Sequence, residues 1–347
     1  MVLPEKIVRL FTSNSHGNWA KIWISALTVC LIVVAAAELL LRYFSYTPTV
    51  VDDAKLWSLH RERAGNHSKE IVLLGSSRML TDVSVQVLQS QFPGYNVINL
   101  AIDGSCPNEV LHDLALDNSF NGTVLVDFRE ECLFFGHEAE LSGNDIIHYY
   151  HNSFTLNEKL NRIIATFFQK HLIIIDPYMN VFKLGGSLLL QKQMRKPRYW
   201  TTTVDRTQLL DSDKRKAFKS LRGETKNEQV EQNDEKFAFK SENPEYHTNF
   251  DRLKDAIAAI NKRGGKVIFI RFPINDEGWR HDEKYFPRSR YWDPLEKSLG
   301  VTLLHSLDYP DLSRFDCPDG SHIDYRDKKA LTTELSTVLK KHYGMGD

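Results

Sequence analysis

A chain of 347 residues is long enough to bury a sizeable core, and it leaves room for one large domain with additions. With 44 lysines and arginines against 45 aspartates and glutamates, the formal charge of -1 argues against the general electrostatics of a nucleic-acid binder. The 4 cysteines, Cys30, Cys106, Cys132 and Cys317, show no C-x-x-C spacing, which argues against a structural zinc site or a thioredoxin-type redox motif.

The chain starts with a polar arm, residues 1–21, in which Lys6, Arg9 and Lys21 face the single acid Glu5. Residues 22–41 are then 20 apolar-rich positions with one charge, Glu38. About 20 such residues suffice for a helix to cross the hydrocarbon core. Ala35-Ala36-Ala37 resembles a cleavage site, but the arm is long and the apolar run resumes at Leu39-Leu40-Leu41. Residues 22–42 are therefore read as an uncleaved anchor rather than a signal peptide. Basic residues outnumber acids before the span, so the arm is expected in the cytoplasm and everything after Arg42 outside. Residues 43–68, broken by Thr47-Pro48 and Gly65-Asn66, read as a connector with a short helix near Leu56.

From residue 69 to 345 the pattern is that of an α/β domain. Residues 71–74, an apolar run that stops at Gly75-Ser76-Ser77-Arg78, suit a buried strand ending in an exposed turn. Taken alone, a serine at such a strand end reads as a helix cap, and only partners elsewhere in the chain turn it into a nucleophile at the edge of the sheet. A helix is expected over 83–91, ended by Phe92-Pro93-Gly94. A second strand at 96–101 stops at Asp103-Gly104-Ser105-Cys106-Pro107, and proline opens a helix over 108–116. A third strand at 123–128 completes a β-α-β-α-β series, so a doubly wound, mainly parallel sheet is expected.

Residues from about 138 to 245 interrupt this rhythm. Helical stretches recur between 146 and 172, but 195–244 is rich in charge and glutamine and reads as a polar insertion, partly mobile or built as a surface lid. Regularity returns with Phe250, Leu253, Ile257 and Ile260 at helical spacing. A fourth strand at 266–272, a fifth at 301–305 and a final helix at 326–341 follow.

Between the fifth strand and that helix lies Asp316-Cys317-Pro318-Asp319-Gly320-Ser321-His322. A hydroxyl nucleophile needs a base to take its proton and a carboxylate to orient that base, and Asp319-x-x-His322 offers both within one turn. Read as half of a metal site, the same pair would need further clustered ligands. His137, His148 and His151 lie in the weakly patterned region. Cys106 and Cys317, two residues after Gly104 and two before Asp319, form a candidate disulfide across loops at the same sheet edge. Cys132 is a rival partner, and free buried thiols are the alternative.

Gly75-Ser76-Ser77-Arg78, the Asn99-to-Gly104 segment and Asp319-Gly320-Ser321-His322, arriving in order at strand ends, resemble the blocks of the SGNH or GDSL hydrolase superfamily. Within it, the chain resembles the membrane-anchored members that handle acyl groups on cell-envelope polymers. The resemblance implies a flavodoxin-like five-stranded fold, with Ser77 as nucleophile, His322 as base and Asp319 as its orienting acid. Gly104 matches the glycine whose N–H joins the oxyanion hole. The third-block asparagine is replaced within Asp127-Phe128-Arg129-Glu130, which leaves the backbone N–H groups of Ser77 or Arg78 and of Gly104 as oxyanion donors. Asn108, Arg129 and Arg271 are candidate substrate-binding residues. The implied activity is acyl transfer or ester hydrolysis on an extracytoplasmic glycan or lipid-linked envelope polymer, with no cofactor or metal. A membrane-bound acyl-transfer partner fits that setting, and nucleic acid does not. The alternative is a non-catalytic assembly protein that binds polymer in the same crevice.

Overall fold

Each apolar run bounded by turn residues becomes a strand, because only pairing and burial on both faces satisfy its backbone and its side chains together. The computed structural model describes residues 19–67, 69–134, 141–178, 186, 198–222 and 244–346. Its strands are β1 (Glu70–Leu74), β2 (Asn96–Asn99), β3 (Thr123–Asp127), β4 (Trp200–Thr202), β5 (Gln208–Leu210), β6 (Lys266–Arg271) and β7 (Thr302–His305). Five of them form one sheet in the order β2-β1-β3-β6-β7. Every pairing in it is parallel, with Leu74 opposite Val126, Asp127 opposite Ile270 and Arg271 opposite His305. β4 and β5 make a separate antiparallel hairpin.

Two compact units make up the chain: Met1–Thr47 with Leu172–Arg195, and Pro48–His171 with Lys196–Asp347. The first contains the Trp19–Tyr43 helix of 25 residues, long and apolar enough to cross a membrane. Near its end Glu38 accepts hydrogen bonds from the N–H groups of Ile173 and Ile174 at 2.8 and 3.2 Å. Leu41, Tyr46 and Ile173 form a small buried cluster beside them.

The second unit holds the sheet. Alternation along the strands divides its side chains between two cores. Val72, Leu74, Val126 and Phe269 pack with Leu111, Leu114, Leu253 and Ile257 of the Asn108–Leu116 and Pro244–Lys262 helices. Ile71, Leu73, Leu125 and Ile270 pack with Leu88, Leu331 and Leu335 of the Val85–Gln91 and Lys328–Tyr343 helices. Each such fully buried aliphatic stabilises the fold by ~1.5–3 kcal/mol. Because β1 lies between β2 and β3, the chain leaves it first to one side and then to the other. The crevice of such a sheet opens beyond the carboxyl ends of these strands, where the connections diverge.

Two segments are more integral than their sequence suggests. The connector contributes the Ala54–Arg61 helix, whose Trp57 is fully buried and donates its indole N–H to the carbonyl of Leu100 at 3.0 Å. Within the polar insertion, the β4–β5 hairpin carries a buried charge. Arg206 is buried, donates to Asp52 at 2.7 Å and reaches the carbonyls of Asn99 and Ala101, each at 2.9 Å. A charged side chain can be buried this way when all its donors meet acceptors, and composition alone does not reveal such pairing. Residues 223–243 of the insertion lie outside the described residues.

Candidate functional site

β1 delivers Gly75, Ser76 and Ser77 to the crevice. Gly75 has φ +140°, and a side chain there would meet Cβ of Asp127 on the neighbouring strand at 2.6 Å. Glycine is therefore what lets the chain turn off the sheet while still touching β3. Ser77 opens the Ser77–Thr81 helix, and Ser76, at its N-cap, makes no side-chain cap bond.

The second contribution comes from the loop before the final helix. Oδ1 of Asp319 accepts from the N–H groups of Ser321 and His322 at 3.1 and 2.8 Å, closing a turn that sets the direction of the imidazole. Oδ2 of Asp319 lies 3.0 Å from Nδ1 of His322, and Nε2 lies 2.8 Å from the hydroxyl of Ser77. A carboxylate only accepts, so the proton belongs on Nδ1, and Nε2 is left to accept from the Ser77 O–H. Burial, with Arg215 and Arg78 adding to it, lowers the pKa of His322 below its ordinary value, against the pull of Asp82. The ring is thus neutral near pH 7 and able to take a proton.

Two further residues, neither marked by any motif, hold this loop. Arg215, from the Ser212–Arg222 helix, forms an ion pair with Asp319 on the same oxygen that faces His322. Asp82 is fully buried, and its Oδ1 accepts from the N–H of Ile323 at 3.2 Å, pinning the residue after the imidazole to the end of the helix that carries Ser77. Burial raises the pKa of Asp82, and burial lowers that of the nearby Lys328. Arg215 sits in a stretch that reads as a solvated charged face. Asp82 stands directly after the Ser77–Thr81 helix, where its C-cap position was the only available signal.

The candidate oxyanion donors divide. The N–H of Gly104 donates to the hydroxyl of Ser76 at 3.0 Å, so an oxyanion would have to displace that hydroxyl to reach it. The N–H groups of Ser77 and Arg78 lie in the first turn of their helix, where no intrahelical acceptor exists. The side chain of Arg78 turns inward and pairs with Asp127 at 3.0 Å, both being buried.

A cleft of ≈ 660 Å³, counted to its open mouth, lies over Ser77 and is lined in part by Arg129, Glu130, Arg271 and Asp282. Arg129 pairs with Glu131. Arg271 is buried and held by Asp282, with Glu130 at 3.6 Å. Asn108 is buried, is not among the residues lining this cleft, and donates its amide to the carbonyl of Cys132 at 2.9 Å.

Of the two candidate partners of Cys106, the structure selects Cys132 and excludes Cys317. Cys106 bonds Cys132, with a Cα separation of 5.7 Å, while Cys317 is buried and free. Side chains of the first two belong to one core of the sheet and Cys317 to the other, so the sheet itself separates them. Burial pushes the Cys317 thiol up to about 12, and its Sγ donates to the carbonyl of Pro273. Of the three histidines considered as ligands, His151 bonds Asp113 at 2.6 Å, His148 lies on the same helix, and His137 lies outside the described residues.

No protein-family model matches this sequence, and neither does any curated protein.

Proposed function

We propose that this chain is a serine-dependent acyl-transfer enzyme, an SGNH-like esterase or O-acyltransferase, held at the outer face of a membrane by residues 22–42. The reading rests above all on Nε2 of His322 lying 2.8 Å from the Ser77 hydroxyl with Asp319 on the other ring nitrogen. The strand order β2-β1-β3-β6-β7 agrees with a flavodoxin-like winding. The Cys106–Cys132 bond suits an oxidising compartment.

In the proposed reaction, Ser77 Oγ attacks the carbonyl carbon of an ester while its proton passes to Nε2 of His322. The tetrahedral oxyanion faces the N–H groups of Ser77 and Arg78, joined by that of Gly104 once Ser76 yields it. Collapse breaks the ester C–O bond, and His322 protonates the departing alkoxide. Water or a sugar hydroxyl, deprotonated by the same imidazole, then releases the acyl group from Ser77. The substrate class is an acylated glycan or lipid-linked polymer of the cell envelope, with a membrane-bound acyl-transfer partner to supply or receive acyl groups.

A polymer-binding protein without turnover is the second reading, favoured by the Gly104 N–H being engaged by Ser76. A fluorophosphonate probe separates the two. The wild type and Ser76→Ala should be labelled, whereas Ser77→Ala should not. Loss of Ser77 or of His322 should each lower turnover by roughly 10⁴-fold or more, with little further loss in the double variant. An unlabelled wild type, folded and carrying its disulfide, would give preference to the binding reading.

A further inference from the structure

The Leu156–Gln169 helix is turned the opposite way from an ordinary surface helix. Its polar side is the buried one: Arg162 is 4% exposed and pairs with Asp53 at 3.1 Å, and Gln169 accepts from the N–H of Val51 at 3.2 Å. The other side carries Leu156, Leu160, Ile163, Ile164, Phe167 and Phe168, which are between 47% and 71% exposed. Their spacing places them on one stripe of the helix. A contiguous apolar stripe of this kind marks a surface with something to bind.

We propose that this stripe lies in the headgroup–acyl boundary of the lipid bilayer and lays the domain on the membrane surface, an inference that rests on residues 22–42 being the anchor. At 14 residues the helix is too short to span, and its sharply divided faces suit a helix lying in the plane of the interface. Covalent continuity favours lipid as the occupant. The chain runs from Gln169 directly into Ile173 and Ile174, whose N–H groups are held by Glu38 near the end of the Trp19–Tyr43 helix. Exposed apolar residues continue along this tether at Ile175 and Tyr178. The same end of the apolar helix presents exposed Tyr43 and Phe44, aromatic residues of the kind that gather at membrane–water boundaries. Lys170, exposed at the foot of the stripe with its ammonium 6.0 Å from the Phe167 ring, supplies a cation at headgroup level.

The test uses the full chain in phosphatidylcholine nanodiscs, with a nitroxide at one position at a time. Native Cys30, exposed on the apolar helix, reports the anchor, since Cys106 and Cys132 are bonded and Cys317 is buried. In a Cys30→Ser background, Ile164→Cys and Phe167→Cys report the stripe, and Lys329→Cys on the exposed side of the last helix reports water. Relaxation by oxygen, which concentrates in lipid, is compared with relaxation by a water-soluble nickel chelate. The oxygen-to-nickel ratio should be severalfold higher at positions 30, 164 and 167 than at 329. Ratios at 164 and 167 equal to that at 329, with position 30 still in lipid, would overturn the surface contact and leave the anchor standing. A water-like ratio at position 30 would reject the anchor and the contact with it. Dipolar broadening at 167 that disappears on dilution with unlabelled chain would replace lipid by a second copy as the occupant.

Discussion

Arg215 and Asp82 act on one imidazole with opposite signs. Burial is the main reason the His322 pKa lies below its ordinary value; Asp82 raises it, and Arg215 lowers it. Removing the Arg215 cation should therefore make the imidazolium easier to form. In the proposed reaction only the neutral ring is a base, so Arg215→Ala should move the acid limb of kcat/KM to higher pH, the wild-type limb lying below the ordinary histidine value of ~6.5. A limb that stays in place, or moves to lower pH, would remove Arg215 from the proton transfer. Ser76 illustrates the same economy of position. Its sequence neighbour faces His322, while Ser76 itself bonds the N–H of Gly104, so the adjacent hydroxyls meet different partners.

At the scale of elements, the site is assembled from parts tied across the sheet's carboxyl edge. The Cys106–Cys132 bond joins the start of the Asn108–Leu116 helix to the Glu130–Leu133 turn that follows β3. Asn108 adds a hydrogen bond to the carbonyl of Cys132, so the turn is held twice. Closing a loop over a sequence separation of 26 restricts the unfolded chain. By chain-entropy reasoning this is worth about 3.5 kcal/mol. Cys106→Ser with Cys132→Ser should lower the unfolding free energy by about that amount and lower the thermal midpoint. The pair Cys317→Ser and wild type should show no difference under reducing and oxidising conditions beyond that already caused by the bond. A double variant as stable as the oxidised wild type would show that the bond does not brace the edge.

For the whole molecule, acid sensitivity follows from histidines buried without charge. Burial, with Arg206 and Arg63 adding to it, lowers the pKa of His60 to about 4, and its Nε2–H donates to the carbonyl of Val204 at 2.9 Å. Burial, with Arg288 and Arg271, lowers that of His305 to about 4 as well. In the unfolded chain both take up protons near pH ~6.5, before the folded protein does. Their contribution is thus fully present above that pH and is lost as the pH falls from there through about 4, by about 3 kcal/mol for His60. His60→Gln, which can keep the bond to Val204, should make the fall of the unfolding midpoint over this range shallower; an unchanged slope would place the acid sensitivity elsewhere. The parallel sheet was legible in the residues because strands buried on both faces are continuous apolar runs, and the turns at Gly75 and Gly104 punctuate them. Ser77 stood out at the end of such a run, Asp319 and His322 by their spacing within one turn, and the apolar span 22–41 announced itself by length. What local pattern cannot carry is the partner of a side chain distant in sequence. Only the packed chain decided that Cys106 meets Cys132 and not Cys317, because opposite faces of a sheet are invisible until the register is set. It alone decided that Arg215 and Arg206, from a stretch with the composition of a loose surface, pair with Asp319 and Asp52, since burial of a charge depends on an acceptor brought from elsewhere in the chain.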